Sequence, residues 1–273
     1  MSVAKRAKAI GLAAALSIFG LQMSAADAAP INEVDYFSLT VGQTIDFESI
    51  TGGDLPGTNY DEVLNFGGVL IGERFAGQTL SFSGNSDVLS GTPTGPLSLV
   101  AGEPNQNLTI TQSTSEGIFS NVVAGLGPVG FPAFNAVGEG AVAILFDNDQ
   151  SQFGFQSVGG DLGSATFEFF RRDGSLIDTL TPTSLTTDFF GFAREDGIND
   201  IAGISIWNTD LAGIGFDNII FDIPGNDFPG DDTPGDQPGD DPVATPVSEP
   251  ATLGLLAIGL IGVRLASRRR RSS

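Results

Sequence analysis

The side chains that could carry chemistry in this chain are carboxylates and hydroxyls. The 273 residues include no Cys and no His, which removes thiol nucleophiles, disulfides, the usual zinc ligands and imidazole acid–base catalysis. Asp and Glu together number 33, against 12 Lys and Arg. Any chemistry must therefore use oxygen groups, such as carboxylates that bind calcium or a carboxylate pair that hydrolyses glycosidic bonds.

Three acidic residues form a candidate calcium site. Asp46 and Glu48 lie in an early predicted strand, and Asp217 lies in the last one. Early and last strands pair when a jelly roll closes, so these carboxylates converge if the fold is of that kind. The alternative is that they are ordinary exposed acids of strands and turns. Calcium is the single metal that the sequence suggests, and no cofactor is required.

Trp207 is the candidate for stacking on a sugar ring. It alternates with Ile204 and Ile206, so it points away from the core if those isoleucines are buried. The alternative, equally compatible with the pattern, is a second buried face against another layer of the protein.

No motif marks an enzyme. Residues 125–130 fit the letters of a dinucleotide-binding G-x-G-x-x-G, but Pro128 and the lack of a following amphipathic helix remove its structural context. A Ser-His-Asp triad is excluded without His. A carboxylate-based glycosidase stays open as an alternative, although no acidic pair is marked by its spacing. The sequence predicts a protein that is not an enzyme.

These side chains must be positioned by one domain, which we place at residues 30–223. The chain carries 37 Gly, 15 Pro and 21 Phe, a composition that favours many turns, few long helices and a large core. Many short β-rich runs separated by Gly, Asn, Asp and Pro predict an all-β fold, a two-sheet β-sandwich of the jelly-roll type. The clearest element is a hairpin with strands at 164–171 and 176–180, joined at Asp173-Gly174 by a type I′ turn. In its first strand, Thr166 and Glu168 are expected to face solvent.

The charge of this domain excludes one class of partner. Between Pro30 and Ile223 there are 25 acidic residues and four arginines, and no lysine. Such a field repels phosphate backbones, because affinity for nucleic acid depends on cationic side chains that displace counterions. Nucleic acid is therefore excluded as a partner.

The N-terminal segment has the layout of a secretory signal peptide, predicted at residues 1–28. Lys5, Arg6 and Lys8 precede an apolar run, and small residues follow. Cleavage after Ala26 or after Ala28 fits the preference for small residues. The apolar run is predicted to be helical, and it is short for a membrane span.

Residues 224–246 form a linker of six Pro, six Asp and four Gly in 23 residues. This composition cannot bury apolar area and predicts a disordered, extended spacer. After it comes an apolar segment that, taken to Ser267, gives a helix of about 25 Å, close to the thickness of a bilayer core. The run Arg268, Arg269, Arg270 and Arg271 should stay cytoplasmic by the positive-inside rule, which leaves the acidic domain outside.

The whole C-terminal pattern over residues 247–271 resembles the PEP-CTERM sorting signal of bacterial exosortase substrates. The resemblance rests on Val247, Ser248, Glu249, Pro250 and Ala251, followed by the apolar transmembrane helix and the arginine cluster. One departure is Ser248, where the family usually has a proline. The resemblance implies export across the inner membrane, transient anchoring there, processing by an exosortase-type enzyme, and release to the cell envelope or extracellular matrix.

The stretch from Ile144 to Phe221 resembles the lectin-like sandwich domains common in exosortase substrates. It contains Phe153-Gly154-Phe155, the Asp173-Gly174 hairpin, Phe189 to Phe192, and Ile214 to Phe221 in that order. The resemblance implies contact with carbohydrate or exopolysaccharide. Three functions stay open: a carbohydrate-binding module, a purely structural matrix component, and a carboxylate glycosidase.

Overall fold

The computed structural model describes residues 29–113, 118–182 and 185–222. The predicted signal peptide, linker and sorting segment lie outside these ranges, and so do both predicted terminal helices. By its contacts the chain divides into two units, Met1–Asn226 and Asp227–Ser273, and everything described below belongs to the first. Within the three described ranges, no helix has the length and hydropathy needed to cross a bilayer.

The described part of the chain is built almost wholly of β-strands. Two 3-10 helices, Tyr36–Ser38 and Phe134–Ala136, interrupt them. The strands are β1 (Ile31–Val34), β2 (Gln43–Ile45), β3 (Thr58–Tyr60), β4 (Leu64–Asn65), β5 (Val69–Gly72), β6 (Arg74–Phe75), β7 (Thr79–Ser83), β8 (Ser86–Ser90), β9 (Leu99–Val100), β10 (Leu108–Gln112), β11 (Asn121–Leu126), β12 (Val137–Gly140), β13 (Val142–Gln150), β14 (Gln152–Gly159), β15 (Ala165–Phe170), β16 (Leu176–Leu180), β17 (Phe189–Arg194), β18 (Ile201–Asn208) and β19 (Ile214–Phe221).

Most of these strands belong to two antiparallel sheets. Sheet A has the order β1-β17-β14-β19-β11-β10-β3, with β2 paired to β19 and β12 paired to β11. Sheet B has the order β16-β15-β18-β13-β5-β4. Two small ladders, β6-β9 and β7-β8, complete the described strands. The prediction of an all-β fold is confirmed.

The two sheets pack face to face around an aromatic core. Phe167 and Phe169 alternate with polar residues on β15 and point inward from sheet B, whereas Phe155 and Phe192 point inward from sheet A. The ring centroids of Phe155 and Phe167 lie 5.4 Å apart, and those of Phe167 and Phe192 lie 5.3 Å apart. Burial of each such ring stabilises the fold by about 1.5–3 kcal/mol. The fold is therefore a β-sandwich.

The outer face of sheet B is covered, contrary to expectation. Segment 73–100 lays Phe75 and Leu97 against Phe170, which is 2% exposed, and so forms a second apolar cluster. In the same layer, Gln78 Nε2 donates a hydrogen bond to the Glu168 carboxylate, at 3.4 Å. The prediction that Glu168 faces solvent is wrong, because this polar covering segment gives it a buried partner.

The predicted hairpin exists as β15 and β16, but its turn is of another type. Phe167 lies opposite Leu180. Gly174 has φ +84°, whereas Asp173 is not in the positive-φ region that a type I′ turn requires. Instead, Gly174 N donates to Arg171 O and Arg171 N donates to Ser175 O, both at 2.9 Å. The loop is thus longer than a two-residue type I′ turn and has a glycine in the left-handed position. The strand register shifts beside Phe170, as at a β-bulge.

The outer face of sheet A is covered at one end and open at the other. The segment after β1 folds over it, where Tyr36 and Leu39 pack against Ile220. The Tyr36 hydroxyl donates a hydrogen bond to the carbonyl oxygen of Asn218, at 2.8 Å. Beyond this contact the same face stays uncovered and forms the floor of a groove.

Candidate functional site

The groove lies on the outer face of sheet A and has a volume of about 340 Å³. Its floor is made of side chains that alternate with core residues. Thr111 of β10 lies opposite Val122 of β11, and Val158 of β14 lies opposite Gly215 of β19. Their chain neighbours Ile110, Val123 and Phe216 point the other way, into the core. Small or short side chains on this face leave the space open.

The walls of the groove come from loops. Leu55 stands on one side, and Phe134 rises from the short 3-10 helix before β12. Phe134 is 65% exposed, so its ring presents a face to solvent. Gly138 allows the chain after Phe134 to approach β19 closely. It has φ +83°, and a Cβ there would lie 2.5 Å from Ile214 N.

Polar groups in the groove suit hydrogen bonding to a neutral ligand. Thr111 and Gln112 line it from β10, and Thr187 and Asp161 line it from loops. Thr187 Oγ1 accepts a hydrogen bond from Gly159 N at 3.0 Å, which fixes the loop it belongs to. Among the described residues that line the groove, Asp161 is the single charged side chain. Its carboxylate is exposed.

A buried aspartate holds the rim of the groove in place. Asp210 is fully buried, and its carboxylate accepts hydrogen bonds from Leu162 N and Ala212 N, each at 2.7 Å. These bonds position the loops that carry Asp161 and Ala212. Leu162 and Leu211, their chain neighbours, are exposed but do not line the groove. The lining itself combines apolar side chains with a few polar ones, as is typical of ligand sites.

The candidate calcium ligands lie next to the groove. As predicted, an early strand pairs with the last one, with Ile45 of β2 opposite Ile219 of β19. Asp46 and Glu48 differ from the prediction in one respect: they follow β2, in the turn after it, and do not belong to the strand. Asp217 belongs to β19 and is 1% exposed.

Protein donors already engage these carboxylates. Asp217 accepts hydrogen bonds from Ser120 Oγ and from Asn218 N, both at 2.7 Å. Glu48 accepts one from Asn121 N at 2.7 Å. Burial raises the pKa of Asp217 above its usual value, those two hydrogen bonds lower it in part, and the nearby charges of Glu48 and Asp46 raise it further.

Within the described ranges, no group of three or more acidic side chains is placed so as to hold a metal ion. The charges of Asp46 and Glu48 do interact with Asp217, as its raised pKa indicates. The structure does not, however, bring the three carboxylates together as a set of metal ligands. The calcium site stays a prediction.

Trp207 lies on the opposite side of the sandwich from the groove. It belongs to β18 of sheet B, where it pairs with Thr166 and is half-buried, while Ile204 and Ile206 enter the core as the prediction required. The alternation therefore gave the right face. Stacking of a sugar on Trp207 stays a prediction.

Sequence reasoning missed Phe134 and Asp161 as groove residues. Phe134 lies in a Gly- and Pro-rich stretch, and Asp161 lies in a turn, so neither has a periodic pattern around it. The signal that could have drawn attention is the phenylalanine itself, placed in a segment with the composition of an exposed loop.

Three comparisons with known proteins bear on the chain. The family model of the PEP-CTERM protein-sorting motif matches residues 246–271. That range holds the candidate sorting residues Val247, Ser248, Glu249, Pro250 and Ala251 and the basic residues Arg268, Arg269, Arg270 and Arg271, all outside the described residues. The predicted sorting motif is confirmed by this match.

Among curated proteins, none matches the chain. Among solved structures, the enzymatically active domain of tailspike protein 4 from bacteriophage CBA120 is similar, with 16% identity and a TM-score of 0.26. The similarity covers 42% of this chain and 17% of that one, so this chain spans under a fifth of the tailspike domain's length.

Proposed function

We propose that this chain is an exported bacterial surface or matrix protein, anchored briefly in the inner membrane and then processed by an exosortase-type enzyme. The observation that carries the proposal is the match of the PEP-CTERM sorting motif to residues 246–271. The signal-peptide pattern at residues 1–28 supports export independently, since it lies at the other end of the chain. Both patterns lead to the same orientation, with the acidic domain outside.

We further propose that the domain is a jelly roll of the lectin-like type. The order of eight strands supports this assignment: β17-β14-β19-β11 in sheet A and β16-β15-β18-β13 in sheet B. In this order, β11, the first of the eight along the chain, lies beside β19, the last. Consecutive strands also change sheet at most steps, as two interleaved Greek keys require.

The groove is the proposed carbohydrate site. An aromatic ring gives a sugar an apolar face to stack on, and Phe134 is the exposed ring at this site. The exposed Gln112 amide and the half-buried Thr187 hydroxyl supply donors and acceptors for sugar hydroxyls. The open floor fits a polymer chain that lies across sheet A.

The groove favours binding without catalysis. A glycosidase of the usual kind needs two carboxyl groups about 5–9.5 Å apart on either side of the bond it cleaves. Among the described lining residues, Asp161 is the single carboxylate. We therefore propose a carbohydrate-binding protein that is not an enzyme.

The experiment is affinity electrophoresis of the full chain, purified in mild detergent, through gels that contain soluble polysaccharides. We expect retarded migration in at least one of them. Phe134→Ala should weaken the retardation about tenfold, since loss of a stacked ring costs about 1–1.5 kcal/mol. The matched control is Phe82→Ala, another exposed phenylalanine, on β7 and outside the groove lining.

Release of reducing ends from the same polysaccharides is measured in parallel. Binding without release supports the proposal. Release that disappears in Asp161→Asn would instead establish a glycosidase. Unretarded migration in every polysaccharide would leave the purely structural matrix component as the function.

A further inference from the structure

Every cationic side chain of the folded domain is already paired. The sequence from Ala29 to Asp222 contains four arginines and no lysine. All four lie within the described residues, and each forms an ion pair there. The pairs are Arg74 with Glu73, Arg171 with Asp200 at 2.9 Å, Arg172 with Asp149 at 2.5 Å, and Arg194 with Asp200 at 2.7 Å and with Asp196 at 3.2 Å.

The pairs differ in burial, and the Arg194 pair is the most buried of them. Arg194 is 5% exposed, and its guanidinium bonds to two oxygens of Asp200 and to Asp196. Arg172 also donates a hydrogen bond to the carbonyl oxygen of Phe146, at 2.8 Å, which fixes its direction. Breaking the Arg194 pair would leave a largely buried carboxylate without its partner, which is costly. The Arg172–Asp149 pair is more exposed and weaker, with 39% and 33% of the two side chains accessible. No arginine is among the described residues that line the groove.

The groove itself carries the opposite charge. Asp161 is its single charged residue among those described, and the described structure gives that carboxylate neither an ion pair nor a hydrogen bond. A polymer that bears carboxylates or sulfates would bring like charge against Asp161, in the field of a domain with 25 acidic residues. Sugar hydroxyls, in contrast, are hydrogen-bond donors, and a free carboxylate is a strong acceptor for two of them.

We propose that the groove selects uncharged polysaccharides and rejects acidic ones, with the Asp161 carboxylate accepting hydrogen bonds from two neighbouring sugar hydroxyls. This inference rests on the proposed carbohydrate-binding function and adds the class of ligand to it. Phe134 then supplies stacking, and Asp161 supplies the discrimination by charge.

The test uses the full chain, in the presence of a chelator, so that no divalent cation bridges acid to acid. A panel of neutral glucans, mannans, xylans and galactans is compared with alginate and polygalacturonate by affinity electrophoresis. The neutral polymer bound most tightly is then oxidised stepwise at its primary hydroxyls, which converts them to carboxylates on the same backbone. We expect affinity to fall at least about tenfold as oxidation proceeds, and added salt to restore part of it by screening the repulsion.

Asp161→Asn tests the residue. This variant should bind the neutral polymer about tenfold more weakly, because a charged acceptor is lost. Its affinity should also fall less steeply than that of the parent as the polymer is oxidised. The matched control is Glu33→Gln, an exposed acid on edge strand β1 of the same sheet, which should behave as the parent.

Two results would overturn the inference. The first is that the oxidised polymer binds as tightly as the neutral one, or more tightly. The second is that the Asp161→Asn variant discriminates between the neutral and the oxidised polymer as strongly as the parent does. Both leave carbohydrate binding intact, since a polysaccharide is still bound. A chain that binds no polysaccharide refutes the proposed function and the inference together.

Discussion

Two acidic side chains, Asp87 and Glu139, are buried where the β7-β8 hairpin meets the connection between β12 and β13. Asp87 accepts a hydrogen bond from Ala141 N at 3.0 Å, and Ser86 Oγ donates one to Glu139. The two residues are 1% and 3% exposed. Burial raises the pKa of Asp87 to about 6, and the charge of Glu139 adds to the rise, while the Ala141 bond and Arg74 lower it. Nothing in the sequence pairs these residues, which are 52 positions apart.

Asp87 should make the stability of the domain depend on pH. Its folded-state pKa of about 6 lies above the usual 3.8, so the folded protein holds this proton more tightly than the unfolded chain does. Ionised Asp87 therefore costs stability, and the cost develops as the pH rises from about 4 to about 6 and reaches about 3 kcal/mol at pH 7. We expect Asp87→Asn, which keeps an acceptor for Ala141 N, to raise the free energy of unfolding at pH 7 by up to that amount and to change it little at pH 4.

Urea unfolding at pH 4, 5, 6 and 7 measures this effect. Glu33→Gln, which removes an exposed acid, is the control and should leave the pH dependence unchanged. An Asp87→Asn protein with the same pH dependence as the parent would show that Asp87 is not the titrating group.

The calcium prediction at Asp46, Glu48 and Asp217 can be tested by chelation. A metal that binds the folded state alone stabilises it by RT ln(1 + [L]/Kd), about 2.7 kcal/mol at a hundredfold excess over Kd. Burial raises the pKa of Asp217, and the charges of Glu48 and Asp46 raise it further. If calcium binds, it offsets the repulsion among these carboxylates, and the thermal midpoint should fall when a chelator is added. A midpoint that is identical with and without chelator, or Asp217→Ala melting like the parent in calcium, refutes the site.

At the residue scale, the sequence predicts which face of a strand a side chain lies on better than it predicts which distant residues that side chain contacts. The alternation around Trp207 predicted the correct face for it, and the predicted pairing of an early strand, β2, with β19 brings Asp46 near Asp217. The pairing of Asp87 with Glu139 and the placement of Phe134 depend on how distant loops pack. Local periodicity carries no information about such contacts.

At the scale of elements, the approach of β12 to β19 rests on Gly138. A Cβ there would lie 2.5 Å from a backbone nitrogen, and the backbone is left-handed at φ +83°. The matched control is Gly197, which has φ +70° and no atom within 4 Å of its would-be Cβ.

We expect Gly197→Ala to cost about 1–2 kcal/mol, the penalty of the left-handed conformation alone. Gly138→Ala should cost clearly more, because β12 or β19 must also move, and it should weaken polysaccharide binding by deforming the groove. Thermal melting compares the two variants. Equal midpoints would show that the close approach at Gly138 does not constrain the fold.

Predictions for elements succeeded where hydrophobic alternation was strong. The strands of the β15-β16 hairpin agree with the predicted runs to within one residue. The cover over sheet B was missed because segment 73–100 is itself largely polar, and because Thr166 and Glu168 give β15 the pattern of a strand with one solvated face. A strand that packs a polar face on a polar cover is not distinguishable from an exposed one by its period.

At the scale of the whole molecule, the arginine run should control retention in the membrane. When Arg268–Arg271 are changed to neutral residues, the stop that orients the apolar segment weakens. We expect the variant to cross the inner membrane and accumulate unprocessed. Cell fractionation and the mass of the recovered chain detect this outcome.

The double variant Glu249→Ala, Pro250→Ala should fail differently. It leaves the apolar segment and the arginines unchanged, so we expect the chain to insert in the membrane and stay uncleaved. The same fractionation and mass measurement separates the two failures. If both variants reach the surface with the parent's C-terminus, neither motif directs sorting.

The last strand of the described residues, β19, lies at the centre of sheet A, where it pairs with β14, β11 and β2. Sheet A therefore cannot close until residue 221 has left the membrane, however early the other strands emerge. Strands that are exported earlier have unpaired edges until β19 arrives. During that time they are exposed to proteases and can aggregate. The same requirement has a benefit for an exported chain: the domain cannot be completed while β19 is still on the cytoplasmic side of the membrane, and it can be completed once β19 has crossed.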